Sequence, residues 1–166
     1  MTKREKVLEV LDGLNINYEI HEHPPVPTVE EARPYWSKIN ATHCKNLFFR
    51  NHKGNRHYLV ILRHDRQLNI RDLEQRLKQG KISFASPKRI EKYLGLAGGS
   101  VSVFGLTNDK ENHVHLFLDE ALKKAERITF HPNENTATVV ITFDSFIAFL
   151  NWSGNSYEFI KLYDTE

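Results

Sequence analysis

The chain is poor in cysteine. It has one, Cys44, among 166 residues. That excludes an internal disulfide framework and fits a reducing compartment. It lacks Cys-x-x-Cys and His-Glu-x-x-His, the spacings that build structural zinc sites and metalloprotease centres. It also lacks Gly-x-Gly-x-x-Gly and Gly-Lys-Ser/Thr, so neither a dinucleotide fingerprint nor a Walker loop is present. No apolar run reaches the ~20 residues of a spanning helix. The charged start, Met1 to Lys6, is not a signal peptide. No repeat, low-complexity tract or linker interrupts the chain. These absences predict one domain over residues 1–166, cytoplasmic and with no membrane partner.

What is present suits a soluble globular protein: 40% hydrophobic and 27% charged residues. The length is enough to bury a core without staples. The net charge of +2 hides an asymmetry. Between Lys45 and Lys92 there are 13 Lys or Arg against 4 Asp or Glu, and elsewhere 10 against 17. A basic middle points to an anionic partner such as nucleic acid, or to solvated helix faces that never converge.

The element pattern is mixed. Thr2 with Glu5 makes a capping box before Val7, Leu8 and Leu11, so a helix is expected over about 3–13. A short strand over 17–21 follows. The prolines at 24, 25 and 27 then impose a rigid loop, and Thr28 opens a short helix toward Tyr35. Thr42 to Arg50 and Tyr58 to Leu62 form a hairpin around a Gly54 turn. Asn69 caps a helix ending at Gly80, 82–85 is strand-like, and Ser86-Pro87 starts another helix. A glycine-rich loop covers 95–105. Strands are expected at 114–118, 127–130, 136–142 and 157–162, with short helices from Asp119 and Asp144. Consecutive strands joined by hairpins favour an α/β fold with a mixed sheet.

Five places are weighed for chemistry. Lys45, beside Asn46 at a strand start, can aim an ammonium and an amide into a cleft, or sit solvated on an edge strand. In Gly98-Gly99-Ser100-Val101-Ser102 the glycines permit close backbone approach, and the following amides can converge on a developing oxyanion. His131, between a strand and Pro132, is either a cleft acid–base group or a turn histidine bonded to local backbone. The pairs His21/His23 and His113/His115 fall short of the three or four ligands zinc needs, so no metal is expected. His43 and Cys44 point to opposite faces of a strand, which argues against a thiol nucleophile and for a buried thiol.

Several segments occur together and in order: Cys44-Lys45-Asn46-Leu47-Phe48, Ser83-Phe84-Ala85-Ser86-Pro87, Gly99-Ser100-Val101-Ser102, Phe104-Gly105-Leu106-Thr107-Asn108, and Phe130-His131-Pro132 with Asn135-Thr136-Ala137-Thr138. Together they resemble the YbaK/prolyl-tRNA-synthetase-associated editing domain family, and within it the freestanding alanyl-tRNA(Pro) deacylases of the ProX type. The resemblance implies a single α/β domain with a mixed, curved, barrel-like sheet surrounded by helices. It implies hydrolysis of mischarged Ala-tRNA(Pro) in trans, with no metal or other cofactor, and with the terminal 2′-OH of the tRNA helping to activate water. The implied partners are the 3′ acceptor end of tRNA(Pro) and, further, prolyl-tRNA synthetase.

By the same resemblance Lys45 holds the substrate near its terminal phosphate or ribose, with Asn46 in the same site. The Gly99, Ser100, Val101 and Ser102 amides hold the ester carbonyl, and His131 shapes or polarises the pocket. Val101, Phe104 and Ile61 would form a pocket small enough for alanine. Val103 stands where the family places proline, which leaves φ freer and adds an N–H. Alternatives are a Cys-tRNA(Pro) deacylase and a tRNA- or synthetase-binding module without catalysis.

Overall fold

The computed structural model describes residues 1–163. Eight strands form one mixed, open sheet: β1 (Glu19–Glu22), β2 (Thr42–Asn51), β3 (His57–Arg63), β4 (Ile82–Phe84), β5 (His115–Asp119), β6 (Arg127–Phe130), β7 (Ala137–Thr142) and β8 (Tyr157–Ile160). The path runs β1-β7-β6-β2-β3-β5-β8, with β4 also on β2. The ends do not meet, so the barrel-like expectation stops at curvature. Five α-helices, α1 (Lys3–Gly13), α2 (Val29–Trp36), α3 (Ile70–Leu77), α4 (Pro87–Leu94) and α5 (Phe143–Ser153), cover it.

The helix starts follow the expected caps. Thr2, Thr28 and Ser86 each accept the main-chain N–H three residues on, and Asn69 accepts from Arg71 and Asp72. Two expectations change. The 95–105 loop contains 3-10 turns at Gly98–Ser100 and Val103–Asn108. The helix expected from Asp119 is a 3-10 turn over Glu120–Lys124, and the Asp119 side chain does not cap it. The carboxylate is instead drawn to the Leu162 N–H, 3.1 Å away.

Two apolar cores lie on the two faces of the β2–β3–β5 sheet, because side chains alternate along each strand. Cys44, Phe48, Leu59, Ile61, Phe104, Leu116 and Leu118 belong to the larger core. Phe49, Val60, Leu62, Leu73 and Phe117 belong to the other.

The feature that positions the site is a split beside β2. One side of β2 pairs with β3 continuously from Cys44 to Arg50. The other side pairs with β6 only at Thr42 and His43, and with β4 only from Phe49 to Asn51. Between those contacts the edge of β2 at 44–47 has no strand neighbour. Backbone groups left open in this way need other partners, and the gap is where side chains and loops enter.

Candidate active site

Three loops close on the gap. The proline-rich loop is tied to the 131–136 turn by His23 N–H to Thr136 O and Val26 N–H to Asn135 O, both 3.0 Å. The glycine loop is tied to the same turn by Ser102 Oγ–H to His131 O at 2.7 Å and by Asn133 Nδ2–H to Phe104 O at 3.2 Å. Gly99 lies so close to Pro27 that a Cβ there would meet the proline Cβ at 3.0 Å. That is the close approach for which a glycine is needed. Gly98 faces open space.

The cleft between these loops and β2 measures about 220 Å³ and is walled in part by Pro27, Trp36, Lys45, Asn46, Gly99, Val101 and His131. Beside it is a recess of about 10 Å³ bounded by Trp36, Cys44, Asn46, Thr129, Phe130, His131 and Thr138. Trp36 is held there by His43, which stacks on the indole with ring centroids 4.9 Å apart. The same imidazole donates Nε2–H toward Trp36 O and Ile39 O, each at 3.1 Å, while Nδ1 accepts from Thr129 Oγ1 at 2.8 Å. His43 thus fastens the end of α2 to the sheet.

Lys45 is half-buried, and burial lowers its pKa; Glu30 and Asp65 oppose that shift, and Arg33 adds to it. Among the described residues its ammonium has no hydrogen bond or ion pair, so it is available to a ligand. Asn46 is oriented: its Oδ1 accepts the Val103 N–H at 3.1 Å, which turns Nδ2 away as a donor. His131 donates Nδ1–H to Ala137 O at 3.0 Å, leaving Nε2 as an acceptor. Burial holds its pKa below the usual histidine range, and His23 adds to the lowering. The Cys44 thiol is buried and its pKa is pushed up, so it is a wall and not a nucleophile.

The expected residues divide. Lys45, Asn46, Gly99, Val101 and His131 meet at one cleft. Ser100, Ser102, Val103, Phe104 and Ile61 do not wall it. The Ser100 N–H is spent on Ala97 O at 3.0 Å and Ser102 lies off the cleft wall, so the candidate amide donors narrow to Gly99 and Val101. Ser102 is fully buried, its hydroxyl anchoring the loop to His131. Phe104 and Ile61 are fully buried in the larger core. Trp36, Thr129 and Thr138 bound the small recess instead. Sequence reasoning missed these, although a tryptophan ending a capped helix next to a proline loop was a usable signal.

Comparison with known proteins gives the family. The aminoacyl-tRNA editing domain model matches residues 23–149. The prolyl-tRNA editing protein ProX of Acetoanaerobium sticklandii is 37% identical over 162 residues, covering 98% of this chain and 99% of that protein. A mouse (Mus musculus) prolyl-tRNA synthetase associated domain-containing protein 1 is 32% identical over 156 residues, with 92% of each covered. A solved structure described as a proposed trans-editing enzyme for prolyl tRNA synthetase shares the fold at TM-score 0.70 and 20% identity, covering 97% of this chain and 98% of that one. The chain belongs to the aminoacyl-tRNA editing domain family.

Proposed function

We propose that the chain removes alanine from mischarged tRNA(Pro), acting in trans as one editing unit. The family is one of aminoacyl-tRNA editing, so the reaction is hydrolysis of the ester that joins an amino acid to the terminal ribose. The observation that carries the alanine assignment is the recess behind the cleft. At about 10 Å³ it has room for roughly one small group. A methyl comes nearer to that room than a pyrrolidine ring. A synthetase pocket rejects a smaller side chain by only ~1–3 kcal/mol, so a second site that excludes the larger, correct amino acid supplies the missing selectivity.

The groups divide the work. The Lys45 ammonium takes the ribose or terminal phosphate. Asn46 Nδ2 donates to the bound ester or ribose. The Gly99 and Val101 amides, at the cleft wall, stabilise the oxyanion, where one donor contributes about 2.7–4 kcal/mol. Neutral His131 accepts a proton or hydrogen bond at Nε2. Water attacks the carbonyl carbon, the tetrahedral intermediate collapses, and the C–O bond to the ribose breaks. Alanine leaves as the free acid, and the ribose oxygen takes up a proton.

The test is turnover of alanyl-, cysteinyl- and seryl-tRNA(Pro) by the purified chain. Faster loss of alanine supports the reading. Preference for cysteine would assign the cysteine-specific activity, and tRNA binding without turnover of any substrate would leave a non-catalytic module.

A further inference from the structure

A cavity larger than the editing cleft lies elsewhere in the molecule. It measures about 580 Å³ and shares no residue with the cleft. Its wall includes the carboxyl ends of three parallel neighbours, β3, β5 and β8: Arg63, Asp119 and, one residue past β8, Lys161. Crevices at the carboxyl ends of parallel strands are where open α/β sheets take ligands.

The chemistry of the wall is one-sided. Arg63, Arg66, Lys123, Lys124 and Lys161 face it, against Asp119 and Glu120. Arg63 is paired with Asp65 at 2.7 Å. Lys123, Lys124 and Lys161 form no ion pair among the described residues. Among the described residues, two buried polar atoms of this wall make no hydrogen bond: Asp119 Oδ2 and the Tyr163 hydroxyl. Asp119 is only 2% exposed; its Oδ1 is taken by the Leu162 N–H, and the Ala121 N–H also acts on the carboxylate. An orphaned buried acceptor is costly unless a ligand supplies the donor. Cations alone would suit any anion. Cations around an unfilled acceptor and an unpartnered phenol suit an anion that also carries hydroxyls.

The position is also informative. Thr42 of β2 walls this cavity, and Lys45 of the same strand walls the cleft. Three residues of strand place them about 10 Å apart. A chain whose 3′ end lies in the cleft can continue into the cavity.

We propose that this cavity holds the ribose–phosphate backbone of the substrate RNA next to its esterified end. Lys123, Lys124, Lys161 and Arg66 take the phosphates, and Asp119 Oδ2 accepts a ribose 2′-hydroxyl. The proposal rests on the RNA-ester reading of the cleft. It adds a site where RNA is told from DNA, since only the 2′-OH can fill that acceptor.

The experiment measures deacylation of alanyl-tRNA(Pro) by the full chain, as wild type, as Lys123→Glu/Lys124→Glu and as Lys110→Glu. All three lysines are exposed, so folding is not at stake. The double reversal should raise KM at least tenfold and reduce the salt slope of binding by about 2, while Lys110→Glu changes neither. In parallel, an acceptor-stem duplex with 2′-deoxy residues should bind wild type several-fold more weakly than the all-ribose duplex. Free AMP should compete only weakly with the charged tRNA. Equal KM for the double reversal and the Lys110 control overturns the site. Equal binding of ribose and deoxyribose stems overturns the role of Asp119. Tight AMP binding that leaves tRNA turnover untouched would assign the cavity to a free nucleotide and also overturn the proposal. If no aminoacyl-tRNA is hydrolysed at all, the reading of the cleft has failed, an outcome separate from these.

Discussion

The main-chain N–H of Val103 donates to Asn46 Oδ1 at 3.1 Å and so couples the glycine loop to the strand that carries Lys45. A proline at 103 could not make this bond. Val103 is the first residue of a 3-10 turn, a position where proline fits the backbone. Val103→Pro therefore isolates the N–H. We expect a stability loss of about 1 kcal/mol, read by chemical denaturation. We expect kcat/KM for alanyl-tRNA(Pro) to fall by up to about tenfold, the equivalent of roughly 1.4 kcal/mol. Val103→Ala keeps the donor and should hold activity near wild type. Equal activity for all three would show that the bond does not orient Asn46 usefully.

Lys45 gives a cleaner separation of function from folding. Among the described residues its ammonium has no hydrogen bond or ion pair to lose, and burial already disfavours its charge. Removing it leaves no orphan. A charge-assisted bond to substrate is worth about 1.5–3 kcal/mol, so Lys45→Met should cost about 10- to 100-fold in kcat/KM. The melting temperature should hold or rise. The sign follows from the direction of the shift: a lysine whose folded pKa is lowered opposes folding while it is charged. A variant that unfolds yet keeps full specific activity in its folded fraction would make Lys45 structural.

How much of this could be read from the sequence varies by element. The caps at Thr2, Thr28, Asn69 and Ser86 and the β2–β3 hairpin were legible because each rests on local chemistry within a few residues. That Lys45, Asn46, Gly99, Val101 and His131 share one cleft was legible through ordered motifs. The roles of Phe104 and Ile61 were misplaced because an apolar residue next to a functional loop can face either way, and register decides. Ile61 pairs with Asn46, yet its side chain turns into the core. Trp36 and Thr138 were missed because they reach the recess from distant segments, a tertiary juxtaposition that no local pattern encodes. The split beside β2 depends on where β6 and β4 stop, and strand ends are weakly specified by sequence.

The two adjacent glycines of the loop predict opposite outcomes for the same substitution. A Cβ on Gly99 would press on Pro27 Cβ at 3.0 Å, whereas a Cβ on Gly98 meets nothing within 4 Å. Gly99→Ala should move the loop by a few tenths of an ångström and lower kcat by about tenfold or more, since small misplacements of a catalytic group are costly. Gly98→Ala should stay within about twofold of wild type, by reducing only unfolded-state freedom. Single-turnover rates on alanyl-tRNA(Pro) distinguish them. Equal losses would mean that the approach to Pro27 does not set the geometry.

His131 should govern the acid side of activity. Burial and the nearby His23 lower its pKa below 6.5, with the Ala137 carbonyl opposing. Its Nε2 acts only while unprotonated. Activity should therefore persist on acidification past the ordinary histidine range and fall only below pH 6.5. The profile of kcat/KM reports groups in the free protein. An acid limb centred above pH 6.5 would exclude His131 as its source.

Stability should carry a second, larger pH dependence from a histidine outside the cleft. His57 is 1% exposed. Its Nε2 lies 3.0 Å from Arg89 Nη1, and its Nδ1 lies 2.9 Å from His113 Nε2. Arginine can only donate, so Nε2 accepts and Nδ1 carries the hydrogen. Burial, with His113 and Arg89 adding, pushes the pKa down from 6.5 to about 4. Below pH 6.5 the unfolded chain takes a proton that the folded chain refuses. Stability is therefore full above that value, falls as pH drops to about 4, and levels off beneath it. The interval corresponds to about 3 kcal/mol. Other histidines with lowered pKa act in the same direction, so the contribution is isolated by difference. His57→Gln keeps an acceptor for Arg89 and does not titrate. Denaturation curves at pH 7, 5.5 and 4 should show the wild type losing about 3 kcal/mol more than the variant. Parallel losses in the two proteins would place the acid sensitivity elsewhere.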